Sequence, residues 1–166
     1  MYQVADELSV RALAEAYTDA VNCRDADGMA AVFAPDGVIE KPGFGEPVSG
    51  IEKIKKRYQR LQCERDFLFQ MIHSGVVEFD AEDRARARWW FSEVKKTAGD
   101  GPWLQIMGVY QDDAVRLDEG WRFARRSQTT LYEQQLSDEG IGTFQLPSIS
   151  PIAASSLTSR LDGTEI

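Results

Sequence analysis

The sequence predicts an α+β fold: three N-terminal helices packed on a strongly curved, mostly antiparallel sheet that forms a cone-shaped barrel. Three observations carry this. Apolar residues in the first half recur at helical spacing. A Gly- and Pro-rich stretch, "GVIEKPGFGEPV" at 37–48, then interrupts the helical pattern. The second half holds four apolar runs separated by three turn signals, as in an antiparallel meander. A chain of 166 residues suggests one domain with a single sizeable core.

The first helix carries Val10, Leu13, Tyr17 and Val21 on one face, with Ala14 and Ala20 filling it. Ser9 or Asp6 is the expected cap. "NCRDAD" breaks the pattern, and Asp25 or Asp27 caps a short second helix bearing Met29, Val32 and Phe33. "APDG" stops that helix. Residues 37–48 read as two short strands around a loop. "SGIE" at 49–52 reads as a capping box that opens a third helix with Ile51, Ile54, Tyr58 and Leu61 on one side.

The strands follow. Residues 67–79 end in "DAED", and residues 84–96 end in "TAGDG". "WLQIMGVYQDDAVRL" and "WRFARRSQTTLY" flank "DEG". In "RARAR" at 84–88 the alternation sets the arginines on one wet face of a strand. Residues 1–132 make the cone domain. Residues 133–166, rich in Ser, Thr, Pro and Gly, read as a C-terminal extension with little regular structure that packs on the domain or a neighbouring subunit.

The formal charge of -8 argues against a nucleic-acid partner. Cys23 and Cys63 form no CxxC pair, and the single histidine cannot complete a zinc site with them. No metal or organic cofactor is expected, and "GFGEPVSG" lacks the spacing and context of a phosphate loop. No signal peptide is evident, and no apolar stretch approaches the roughly 20 residues of a membrane span. A cytoplasmic protein is the expectation. Both sheet faces are apolar near Trp89, Trp90 and Phe91, so a homodimer or homotrimer is expected.

The stretches "YTDAVNCRDADGMAAVFAPDG", "IHSGVVEFDAEDRARARWWF" and "GVYQDDAVRLDEGWRFARRS" resemble the SnoaL-like branch of the nuclear transport factor 2-like superfamily. The resemblance spans about residues 8–132 and is nearest to lyases of the scytalone dehydratase and hexachlorocyclohexane dehydrochlorinase type. It implies a cofactor-independent elimination in an enclosed cone, with a His–Asp pair abstracting the proton. The histidine maps onto His73 and a pocket arginine onto Arg126. Counting from Tyr17 puts the acid at Asp25, whereas counting back from "FAPDG" lands on Asn22.

The chemistry suits those residue types. Histidine, with an ordinary pKa of about 6.5, can serve as a base at neutral pH. A carboxylate on its far nitrogen would fix the tautomer and stabilise the cation. Arg126 would stabilise a departing hydroxide, halide or enolate oxygen, with Arg125 on the opposite face. Tyr17 would bond a substrate oxygen. Asn22, Phe69, Trp90 and Met107 complete the expected substrate-binding set, for a hydrophobic, aromatic small molecule. Phe67, Phe69, Trp89, Trp90, Phe91 and Trp103 could form the cavity wall, but such residues are more often core or subunit interface. An isomerase or cyclase needs similar parts. A non-catalytic carrier, or an interaction subunit like those of ring-hydroxylating oxygenases, would use the same fold.

Overall fold

Helix α1 (Tyr2–Asn22) turns Val10, Leu13, Ala14, Tyr17, Ala20 and Val21 inward, the face that the apolar spacing predicts. The protein's structure, a computed structural model, describes residues 2–137. The helix starts earlier than expected, so neither proposed residue caps it. Ser9 lies within it and donates to the Ala5 carbonyl. Asp6 also lies within it, accepting from Trp121 Nε1 at 2.9 Å and pairing with Arg116. Both bonds tie α1 to the distant hairpin.

Helix α2 (Ala26–Ala31) is capped by Asp25, whose carboxylate accepts from the Asp27 N–H at 3.0 Å. Strand β1 (Phe33–Glu40) absorbs the "APDG" stretch, and β2 (Val48–Ser49) pairs with it. Helix α3 (Ile51–Cys63) buries Ile54 and Tyr58. Its N-cap is Gly50, at φ 89°, so the expected Ser49–Glu52 box does not form. Ser49 is held in β2 opposite Val38, and its hydroxyl donates to the Asp36 carbonyl.

Strands β3 (Arg65–Ala81), β4 (Arg84–Thr97), β5 (Trp103–Leu117) and β6 (Gly120–Leu136) form the predicted meander. Strand β6 then runs parallel to β1, giving the order β2-β1-β6-β5-β4-β3. The six-stranded sheet is curved but unclosed, with β2 and β3 as its edges, so it is an open cone rather than a sealed barrel. Strand β6 continues to Leu136, past the expected domain boundary at 132, because it stays paired with β5 as far as Trp103. The rest of the expected C-terminal extension, from residue 138, lies outside the described residues.

The alternation in β4 sets the two faces. Ala85, Ala87, Trp89, Phe91 and Glu93 are buried against the helices, while Arg84, Arg86 and Arg88 are exposed as predicted. In β3 the parity changes. Ile72 opposes Phe91 and Gly75 opposes Trp89, so β3 spends three steps where β4 spends two. This bulge holds His73 and Ser74. Before it, Leu68, Gln70 and Ile72 face inward, and after it Gly75, Val77 and Phe79 do. A Cβ on Gly75 would lie 2.0 Å from the Trp89 ring, so only glycine lets that indole lie across β3.

Candidate functional site

Between α1, α3 and the inner sheet face lies a cavity of about 440 Å³. Its deep part is built from Tyr17, Tyr58, Tyr110, Gln70 and Glu93, all buried. Helical spacing in α3 turns Tyr58 and Leu61 toward the cavity, and strand alternation does the same for Glu93 and Tyr110. Gln70 connects the polar groups. Its Nε2 donates to Glu93 Oε2 at 3.0 Å and to Tyr110 Oη at 2.9 Å. Lys95 Nζ stands 3.9 Å from the other Glu93 oxygen. Burial pushes the Tyr58 and Tyr110 hydroxyls well above the ordinary phenol range, so both remain neutral donors at neutral pH. Burial lowers Lys95; Glu93 opposes the shift, and Arg65 and Lys41 reinforce it.

Asn22 holds Gln70 in place from the helix side. Its Nδ2 donates to the Gln70 carbonyl at 2.9 Å, and its Oδ1 accepts from the Gln70 N–H at 2.7 Å. Strand β3 is a sheet edge, and this side-chain amide pairs there as a neighbouring strand would. The arrangement needs one donor and one acceptor, which explains an asparagine: an ionised aspartate cannot donate.

Arg126 lies behind the cavity floor and is 0% exposed. It grips Asp112 with two hydrogen bonds, at 2.8 and 2.7 Å, and Asp112 also accepts from Trp89 Nε1 at 2.9 Å. Its guanidinium packs against the rings of Tyr17, Tyr110 and Phe123 at 4.3, 4.4 and 4.3 Å. Burial works against its charge, but the charge and bonds of Asp112 outweigh this and hold its pKa above the ordinary arginine value. The pair supports two cavity tyrosines from behind.

Of the expected site residues, only Tyr17 lines this cavity. His73 is exposed on the outer sheet face, where its Nε2 bonds Ser92 Oγ at 2.9 Å. The parity before the bulge causes this: Gln70 and Ile72 point in, so His73 points out. Asp25 is used by the α2 cap. The expected His73–Asp25 pair is therefore not assembled, and Asn22 meets Gln70 rather than His73. Arg126 is screened from the cavity by the tyrosines and neutralised by Asp112. Phe69, Trp90 and Met107 lie on the outer face with 46%, 43% and 46% of their surface exposed, so they form no cavity wall. Trp89 and Phe91 are core, and Arg125 points outward to Glu40.

Gln70, Glu93, Tyr58 and Tyr110 were not among the expected site residues. Glu93 had a readable signal: it falls on the Trp89–Phe91 parity, where a charge on a buried face needs a reason. Gln70 had a weaker one, as a polar residue in step with Leu68 and Ile72. Both cysteines are free. Among the described residues, no group of three His, Cys, Asp or Glu is positioned to hold a metal, and no helix is long and apolar enough to cross a membrane.

Known proteins are similar to this chain. An uncharacterized protein of Mycobacterium tuberculosis is 27% identical over 135 residues, covering 81% of this chain and 91% of the relative. A hexachlorocyclohexane dehydrochlorinase structure from Novosphingobium barchaimii superposes with a TM-score of 0.78 at 16% identity, covering 87% of this chain and 97% of that one. A protein assigned as a scytalone dehydratase from Novosphingobium aromaticivorans gives 0.73 at 18% identity, covering 82% and 91%. A ketosteroid isomerase-like protein from Erwinia carotovora gives 0.66 at 22% identity, covering 76% and 98%. At these identities the structural likeness establishes the fold alone. The SnoaL-like domain matches residues 3–127, and the chain belongs to that family.

Proposed function

We propose that the protein is a cofactor-independent lyase or isomerase that moves a carbon-bound proton inside the cone, with Glu93 as the base. The observation that carries this reading is a buried carboxylate at the cavity, 6% exposed, with one oxygen held by Gln70. A fixed, desolvated carboxylate beside neutral tyrosine hydroxyls provides a base and an oxygen-stabilising donor in one space. Tyr110 and Tyr58 would bond a developing oxyanion or a departing hydroxyl, and the enclosing rings would exclude water. The dehydratase, dehydrochlorinase and ketosteroid isomerase-like neighbours make elimination and double-bond migration the first reactions to test.

In this reading the proton acceptor moves from His73 to Glu93. Glu93→Gln keeps the shape and the hydrogen bond from Gln70 but cannot accept a proton. It is expected to lower turnover by about 10²–10⁴-fold with ligand affinity retained. His73→Ala is the control, expected to stay within about twofold, because solvent and Ser92 are its surroundings. The measurement is turnover of cyclic alcohols and ketones, with deuterium uptake from heavy water at the acidic carbon. Equal turnover in wild type and Glu93→Gln would remove Glu93 from the mechanism.

A carrier of small molecules is the second reading. It is favoured by the separation of His73 from Asp25, which leaves the family-type dyad unassembled. Tight ligand binding by the wild type without deuterium exchange in any bound compound would support it.

A further inference from the structure

The protein is acidic overall, yet its cavity is lined by six Lys and Arg side chains against three Glu. One of those glutamates, Glu40, is already paired with Arg125 outside the lining, at 2.7 Å. Of the cations, Arg60 pairs with Glu64, and Arg24 donates to the main-chain carbonyls of Arg65 and Gln62. Lys41, Arg65 and Lys95 come from three separate segments of the lining; the first two repel the third, while Glu93 and Glu133 attract it. Such a concentration of like charge is unfavourable by itself and is relieved by an anion.

The deep part has the opposite character. Glu93 would repel an anion there. Tyr58 Oη and Gln70 Oε1 are buried in residues lining the cavity and have no hydrogen-bond partner among the described residues. Tyr17 neighbours Tyr58, but no hydrogen bond of normal geometry joins them. An unmade buried bond is costly, so these two atoms point to a ligand group. Gln70 Oε1 can only accept, whereas the phenol can donate. A hydroxyl serves both, donating to Gln70 and accepting from Tyr58. A carbonyl would leave Gln70 unsatisfied.

We propose that the ligand is a ring-bearing hydroxy acid, with its neutral hydroxyl at Tyr58 and Gln70 and its carboxylate at the mouth against Lys41, Arg65 and Lys95. This rests on the reading that the cone is the binding site and adds the polarity and orientation of what enters it. The volume falls within the roughly 300–1,000 Å³ of ordinary small-molecule sites.

The test is calorimetric titration of the full-length protein with three probes: a hydroxynaphthoate bearing its groups at opposite ends, naphthoate and naphthol. Hydroxynaphthoate is expected to bind tightest, with loss of either group weakening binding at least about fivefold. Arg65→Glu is expected to weaken both carboxylates about tenfold while changing naphthol less than about twofold. Lys41→Glu, on a different segment, repeats the test should Arg65→Glu fold poorly. Tyr58→Phe should weaken the two hydroxylated probes and leave naphthoate unchanged. Naphthol binding as tightly as hydroxynaphthoate, or charge reversal affecting all probes alike, would overturn the proposal while leaving the cavity as a site. Failure of every probe to bind would remove the cavity reading and this inference with it.

Discussion

Arg126 is a fully buried cation behind the cavity floor. Its charge is spent on Asp112, and its plane is spent on three aromatic rings. Removing one member of such a pair leaves the other charged and buried. Arg126→Leu is therefore expected to cost about 3–5 kcal/mol in urea unfolding, with much of the loss restored by adding Asp112→Leu. Were the arginine a ligand contact instead, the single change would affect affinity and leave stability nearly intact. Lys95 presents the reverse balance. Its folded pKa lies below its ordinary 10.5, chiefly through burial. Between the folded and unfolded values the unfolded chain holds more protons, so stability rises with pH across that window. Below the folded value the cost is fully present. Lys95→Met should accordingly melt higher at neutral pH, with the gain shrinking as pH approaches 10.5, and should bind organic anions more weakly. Thermal melts across that range check the sign.

Edge strand β3 carries Gln70, with β4 on one side and no strand on the other. The end of α1 supplies a partner on that open side through Asn22, whose amide meets both Gln70 main-chain groups. Asn22, one of the two positions to which the sequence counts lead for the acid of a family-type dyad, is thus used to join helix and sheet. Asn22→Asp keeps the size and loses the donor, setting a carboxylate against the Gln70 carbonyl. The expected loss is about 1–3 kcal/mol, with faster hydrogen exchange at the Gln70 amide. It should shrink at pH values below about 3.9, where the protonated acid regains a donor. An unchanged exchange rate would show that the β3–β4 ladder alone sets the register.

At the scale of the molecule, the described residues cover the sheet on one face only. On the other, Met71, Ser92, Met107 and Tyr132 form one row over four strands, with Phe69 and Trp90 beside it. All but Ser92 are large apolar side chains with more than two-fifths of their surface exposed. A row of this kind suits a second copy of the chain, since the same apolar patch can meet itself about a twofold axis. The pair Trp90→Glu and Met107→Glu is expected to convert an oligomer into a folded monomer in sedimentation velocity. A wild type that sediments as a monomer would refute this role for the face.

The helices, the meander and the inward face of α1 were legible because each depends on local periodicity. Val10, Leu13, Tyr17 and Val21 recur at helical spacing whatever they pack against, and "RARAR" alternates whatever lies behind it. The family likeness was legible for a related reason, since the order of those periodic segments defines the fold. The side chains of the candidate site were not legible to the same degree. A single extra residue at His73 and Ser74 reverses the parity of β3, and a bulge shows only against its partner strand. That shift set His73 outside and Gln70 inside. The pairing of Arg126 with Asp112 depends on β5 lying beside β6, and the meeting of Asn22 with Gln70 on α1 crossing the β3 edge. The sequence by itself determined the elements and their order. Which polar groups share the cavity was decided only by tertiary structure, because register and burial belong to pairs of segments and not to either one alone.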